Sequence, residues 1–109
     1  MRKRTLEELT IVKLSDKRTQ IAISEVHDIL LEKTTDIIYF TVESSLFGII
    51  CLGDLLKNVH NGQVTIVQNF AKLEGFKDEQ ASIVFKSRNN IYEIPVLDKN
   101  GVLLGDYSR

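Results

Sequence analysis

Ile94-Pro95-Val96-Leu97-Asp98-Lys99-Asn100-Gly101-Val102-Leu103-Leu104-Gly105 carries the strongest topological signal in the chain. Two apolar runs flank Asp98-Lys99-Asn100-Gly101, and its Asn-Gly pair suits the left-handed backbone of a tight hairpin. The stretch has an earlier counterpart. Ile37-Ile38-Tyr39-Phe40 lies 57 residues before Ile94-Pro95-Val96-Leu97, and Leu46-Phe47-Gly48 lies 57 before Leu103-Leu104-Gly105. Glu43-Ser44-Ser45 then reads as the turn of the first hairpin. The hairpin strands are continuous apolar runs rather than alternating ones, so both faces of each sheet should be covered.

On either side of the hairpins the duplication continues. Val26, Ile29 and Leu30 map onto Ala81, Val84 and Phe85 at an offset of 55, and both triplets have the i, i+3, i+4 spacing of a buried helical stripe. Leu9-Thr10-Ile11-Val12 maps onto Val64-Thr65-Ile66-Val67 at the same offset. The change from 55 to 57 requires two extra residues between helix and strand in the second copy. Each copy therefore reads as strand, helix, strand, turn, strand. Ser24 is the expected N-cap of the first helix, with Glu25 near the positive end of its dipole, and Asp78 is the expected cap of the second. Asp54-Leu55-Leu56-Lys57 should open a short closing helix after Gly53. The copies are expected to join through Asn61-Gly62 and pack together.

The expected architecture is α+β. It consists of tandem βαββ(α) repeats with pseudo-two-fold symmetry, as two small three-stranded sheets flanked by helices. Residues 1–62 are expected to form the first copy with an N-terminal extension, and residues 63–109 the second copy without its closing helix.

Composition narrows the function. Apolar residues make up 43% of the 109-residue chain and charged residues 27%, which argues for a globular domain rather than disorder. Fourteen basic and fifteen acidic side chains nearly cancel, giving no general attraction to nucleic acid or anionic membrane. The basic clusters Arg2-Lys3-Arg4, Lys17-Arg18 and Lys86 with Arg88 read as solvated faces, although the last pair could offer charge to a ligand phosphate. The single cysteine, Cys51, excludes an internal disulfide and is expected to be a buried, inert thiol at a strand end. His27 and His60 do not join it in any catalytic or zinc-binding spacing. No apolar run approaches the length of a membrane span, and Met1-Arg2-Lys3-Arg4 is followed by Glu7 and Glu8 rather than a signal-peptide core. The expectation is a cytoplasmic chain with no required cofactor or metal.

The duplicated unit resembles a pair of CBS motifs, the Bateman module. Gly48-Ile49-Ile50-Cys51-Leu52-Gly53-Asp54-Leu55 matches the family's strand end followed by an Asp at the helix start. Ile94 to Gly105 matches its hydrophobic-Pro-Val-hydrophobic-Asp-x-x-Gly hairpin. The resemblance runs from about Leu9 to Arg109. It implies adenosine-containing ligands (AMP, ADP, ATP or S-adenosylmethionine) bound in clefts between the motifs, with regulation of an attached or partner protein.

The implied ligand-binding positions are Ile50, Cys51, Asp54, Thr65, Ile94, Pro95 and Ser108. Asp54 would accept the ribose hydroxyls, Cys51 and Ser108 occupy the hydroxyl positions near phosphate, and Pro95 lies near the adenine slot. Two departures stand out. Cys51 replaces the family's Thr or Ser, and the sequence ends before the second copy's expected Asp and closing helix. On its own, Asp54 also reads as a helix N-cap residue, and Pro95 as a strand-edge residue.

The resemblance further implies a homodimer and the amino-terminal piece of a longer protein, with an attached enzyme such as a nucleotide-sugar or surface-polysaccharide transferase. The module itself would not be catalytic. The alternative is a structural dimerisation module whose nucleotide site has decayed.

Overall fold

The computed structural model describes the backbone of residues 1–109 and every side chain except that of Leu56. In chain order the elements are β1 (Arg2–Thr5), a 3-10 turn (Leu6–Glu8), β2 (Ile11–Leu14), β3 (Gln20–Ala22), α1 (Ile23–Lys33), β4 (Ile37–Val42) and β5 (Ser45–Cys51). There follow α2 (Asp54–Lys57), β6 (Val59–His60), β7 (Gln63–Thr65), β8 (Leu73–Glu74), α3 (Asp78–Ser87), β9 (Glu93–Leu97) and β10 (Leu103–Ser108). The fold is α+β. The chain divides into two compact units. The first-copy unit, so named for α1, holds Thr10–Glu43 with Phe47–Phe70, and the second-copy unit, which contains α3, holds Met1–Leu9, Ser44–Leu46 and Ala71–Arg109.

In the first-copy unit β2, β4 and β5 form one sheet, with β2 parallel to β4 and Ile11 beside Tyr39. β3, β7 and β6 form a second, antiparallel sheet. Ile37 to Thr41 of β4 are all buried, as the unbroken apolar run requires. Val26 and Leu30 of α1 belong to one core cluster with Ile38, Phe40 and Ile50. Burying each such side chain stabilises the fold by about 1.5–3 kcal/mol.

In the second-copy unit Ala81 and Phe85 of α3 hold the corresponding places, clustered with Ile94, Val96 and Tyr107. The stripe read from the sequence thus faces the core in both copies. A smaller first residue (Ala81 for Val26) is accompanied by a larger second one (Phe85 for Leu30), which offsets part of the lost volume.

The first-strand match needs correction. The structural counterpart of Ile11-Val12 is Leu73-Glu74, because β8 runs parallel to β9 with Leu73 beside Val96, as β2 runs parallel to β4. Val64-Thr65 instead pairs antiparallel with Gln20-Ile21. Both runs are β-branched, but strand composition does not specify a partner. Asn61-Gly62 turns the hairpin from β6 to β7, and both residues have positive φ.

The second-copy sheet has four strands, in the order β1-β10-β9-β8. Its additional edge strand is Arg2–Thr5, read above as part of a solvated basic extension and here antiparallel to β10. Neither helix is capped as expected. α1 starts after Ala22, so Ser24 is already helical, and α3 starts at Asp78 after Lys77; neither N-cap side chain makes a capping hydrogen bond.

The two hairpin turns differ in strain. Gly101 takes positive φ in the second turn, where Asp98 Oδ1 accepts the Asn100 and Val102 amides. The first turn places Glu43 (φ 51°) and Ser44 (φ 71°) in the left-handed region without a glycine. Converting this pair to Asn-Gly, by Glu43→Asn with Ser44→Gly, is expected to raise stability by about 1 kcal/mol. A thermal melt reads this directly, and an unchanged or lower midpoint would show that the turn is not strained.

Candidate functional site

In the first-copy unit, the chain leaves β5 at Cys51 and turns through Leu52-Gly53 into α2. Asp54, the first helical residue, is only 7% exposed. Its carboxylate is held from two sides. Oδ2 accepts the Cys51 amide at 2.7 Å, and Oδ1 accepts the side-chain amide of Asn58 at 2.7 Å. The Asn58 backbone amide also donates to the Asp54 carbonyl at 2.8 Å, and the Asn58 carbonyl accepts the Thr65 amide at 3.1 Å. Hydrogen bonds thus link Cys51 to Asp54, Asp54 to Asn58, and the Asn58 backbone to Thr65. Asn58 was not among the expected positions, although an amide four residues after a carboxylate on a helix is a recognisable pair.

Asp54 thus forms hydrogen bonds of the kind expected around a helix start, and although a carboxylate offers about four lone-pair directions, its burial leaves the remaining ones little open surface. Cys51 is half-buried rather than fully buried, and Thr65 is exposed. Ile50 is fully buried in the core.

Gly48 is the other residue that shapes this strand. A Cβ there would overlap Ile66 Cγ2 and lie 2.9 Å from the Val67 carbonyl oxygen. Its absence lets Ile49 and Val67 exchange two backbone hydrogen bonds, each 2.9 Å.

In the second-copy unit, Ile94 and Pro95 lie on β9 and are fully buried, while Ser108 is half-buried at the end of β10. Ile94 stands beside Tyr107, Pro95 beside Asp106 and Ser108 beside Glu93, so these three positions are neighbours within one sheet without being paired with one another. The strand-edge reading of Pro95 is corrected, since β9 lies between β10 and β8. The pairing with β8 begins one residue later, at Val96, so the missing N–H interrupts no pair on that side.

This unit also holds ionic contacts that local sequence patterns do not disclose. Asp106 is fully buried and takes a bidentate pair from Arg4, Nε to Oδ1 at 2.8 Å and Nη2 to Oδ2 at 2.7 Å. The Tyr107 hydroxyl donates to Asp78 Oδ1 at 2.6 Å, and Lys3 lies 3.4 Å from the same oxygen. Arg109 donates to the carbonyls of Phe85, Arg88 and Ile91, covering the C-terminal end of α3.

Burial and, next, the Asp78 carboxylate push the Tyr107 hydroxyl up to about 12. The Tyr107 hydrogen bond in turn lowers Asp78. A tyrosine held above its ordinary value of 10 contributes stability that is complete below pH 10 and is lost as pH rises through about 12. Melting midpoints measured from about pH 9 to 12 should fall more steeply for the native chain than for Tyr107→Phe. Parallel curves would remove Tyr107 as the cause.

Among the described residues there is no group of three or more His, Cys, Asp or Glu side chains placed to hold a metal, and no helix long and apolar enough to cross a membrane. No family model matches the chain, and no curated protein matches its sequence. Solved structures do match. CBSX2 in complex with AMP superposes with a TM-score of 0.75 at 19% identity, over 98% of this chain and 86% of that one; CBSX2 is a CBS-pair protein from Arabidopsis thaliana. The CBS domain pair of protein MJ0100, in complex with 5′-methylthioadenosine and S-adenosyl-L-methionine, matches with a TM-score of 0.68 at 21% identity, over 93% of this chain and 86% of that one.

The chain has the fold of a CBS-domain pair.

The cytosolic domain of the Mg2+ channel MgtE in complex with ATP shares this fold, with a TM-score of 0.71 at 19% identity over 96% of this chain and 44% of that one. Within that fold, the strand-to-helix turn between β5 and α2 of this chain carries Asp54, with Cys51 three residues before it.

Proposed function

We propose that the chain is a non-catalytic regulatory module that binds an adenosine-containing ligand and controls an attached or partner protein. The observation that carries this is Asp54. A largely buried carboxylate at the turn from β5 into α2 is suited to accept hydrogen bonds from a ribose diol, and such charge-assisted bonds are worth about 1.5–3 kcal/mol each. The ligands of CBSX2, MgtE and MJ0100 support the class: AMP, ATP, and 5′-methylthioadenosine with S-adenosylmethionine.

In the first-copy unit, Cys51 and Thr65 join Asp54 as polar contacts. Ile50 in that unit, and Ile94 and Pro95 in the other, are the proposed apolar positions and are fully buried. Ser108 offers a half-buried hydroxyl in the second-copy unit. The controlled protein is proposed to be an enzyme such as a nucleotide-sugar or surface-polysaccharide transferase, and the setting cytoplasmic.

A second reading, a structural dimerisation module with a decayed nucleotide site, is favoured by the occupation of both Asp54 oxygens within the chain. A homodimer is proposed in either case; Leu31 of α1 and Ile83 of α3 are exposed apolar side chains that an interface would cover.

A thermal-shift screen with AMP, ADP, ATP and S-adenosylmethionine tests the sensing reading. A ligand at about 100 times its dissociation constant stabilises by about 2.7 kcal/mol, and Asp54→Asn should abolish that shift. If millimolar nucleotide leaves the native midpoint unmoved, the structural reading replaces it. Sedimentation of the same samples reads the dimer, which a 12.4 kDa species alone would refute.

A further inference from the structure

We infer that Asn58 is a competitor, built into the chain, for the carboxylate that the proposed ligand needs; this rests on Asp54 being the ribose acceptor. Asp54 is 7% exposed, and each of its oxygens already receives one 2.7 Å hydrogen bond. The two donors are not equivalent. The Cys51 donor is a backbone amide at the end of β5 and cannot withdraw without disturbing the strand. The Asn58 donor is a side-chain amide on rotatable bonds, and the backbone of Asn58 stays anchored by its own bonds to Asp54 and Thr65 when that side chain turns away.

A vicinal diol presents two hydroxyl donors to the two oxygens of one carboxylate. At Oδ1 it meets the Asn58 amide, already in place on a carboxylate with little free surface. Binding therefore exchanges one charge-assisted hydrogen bond for another instead of adding one, which lowers the net gain. Asn58 sets the affinity threshold of the site, and truncating it should tighten ligand binding while weakening the fold. A residue that merely supports the site would weaken both.

The test is calorimetric titration of the full chain with AMP and with 5′-methylthioadenosine, for the native protein, Asn58→Ala, Asn58→Ser and Asp54→Asn, alongside thermal melts. Asn58→Ala should lower the melting midpoint yet bind about tenfold more tightly, the equivalent of about 1.4 kcal/mol. Asn58→Ser serves if the alanine variant does not fold. Binding by an Asn58 variant where the native chain shows none also supports the inference. If the native chain binds, Asp54→Asn does not, and neither Asn58 variant binds more tightly, the competitor role is overturned while the ribose reading stands. If no variant binds, or Asp54→Asn binds as the native chain does, both fall together.

Discussion

Arg4→Met should destabilise the protein by about 3–5 kcal/mol, because it leaves the Asp106 carboxylate fully buried without its guanidinium. The pair joins two residues that are neighbours only through strand pairing, since Arg4 on β1 faces Asp106 on β10. Burying two charges is itself unfavourable, so the stability at stake lies in the asymmetry: removing the guanidinium takes away the bidentate charge partner of a carboxylate that stays buried. A companion experiment separates these effects. Arg4→Met combined with Asp106→Leu should recover much of the loss, since neither charge then remains. Urea unfolding reads both variants as midpoint shifts. A loss below about 1 kcal/mol for Arg4→Met would place the pair with solvent-screened surface bridges and contradict its buried role.

Gly105→Ala should destabilise by about 2–3 kcal/mol through the same edge strand. A Cβ at Gly105 would overlap the Arg4 carbonyl oxygen and lie 2.9 Å from Phe76 Cζ. The phenyl ring can turn, but the carbonyl belongs to the paired backbone of β1 and moves only if the strand moves. Chemical denaturation measures the loss, and a change under about 0.5 kcal/mol would show that β1 shifts freely. Because both substitutions act by loosening β1, their combination should cost less than the sum of the two. Gly48→Ala meets the same obstacle against Ile66 and the Val67 carbonyl, so the repeated glycine plays the same part in both copies. Each admits a neighbouring backbone alongside the last long strand of its hairpin.

The two glycines also mark how far local patterns reach. Leu46-Phe47-Gly48 and Leu103-Leu104-Gly105 identify the hairpins and their equivalence, because apolar runs, turn residues and helical spacing are local properties. The buried faces of α1 and α3 follow from Val26 with Leu30 and Ala81 with Phe85 for the same reason. Ser24 and Asp78 mislead as helix starts, since a favourable capping residue does not oblige the helix to begin after it. The first-strand match fails at Val64–Val67, because a strand's partner depends on what else reaches the sheet edge.

The site divides along the same line. Asp54 and Cys51 are legible from the turn they share, and Asn58 can be reached by its four-residue spacing from Asp54. The bidentate contact of Arg4 with Asp106, 102 positions apart, cannot. Asp106 does carry a warning, as a lone charge between Gly105 and Tyr107 after an apolar run, but it names no partner.

Residue order within short windows therefore accounts for the duplication, the α+β class and the two helical core faces. The folded chain alone reveals that Arg2–Thr5 is a strand of the second-copy sheet, that β8 rather than β7 takes the place corresponding to β2, and that Asn58 holds Asp54. The reason is physical: backbone hydrogen bonding makes any extended segment a possible strand partner, and only close packing around a glycine or a buried charge selects one.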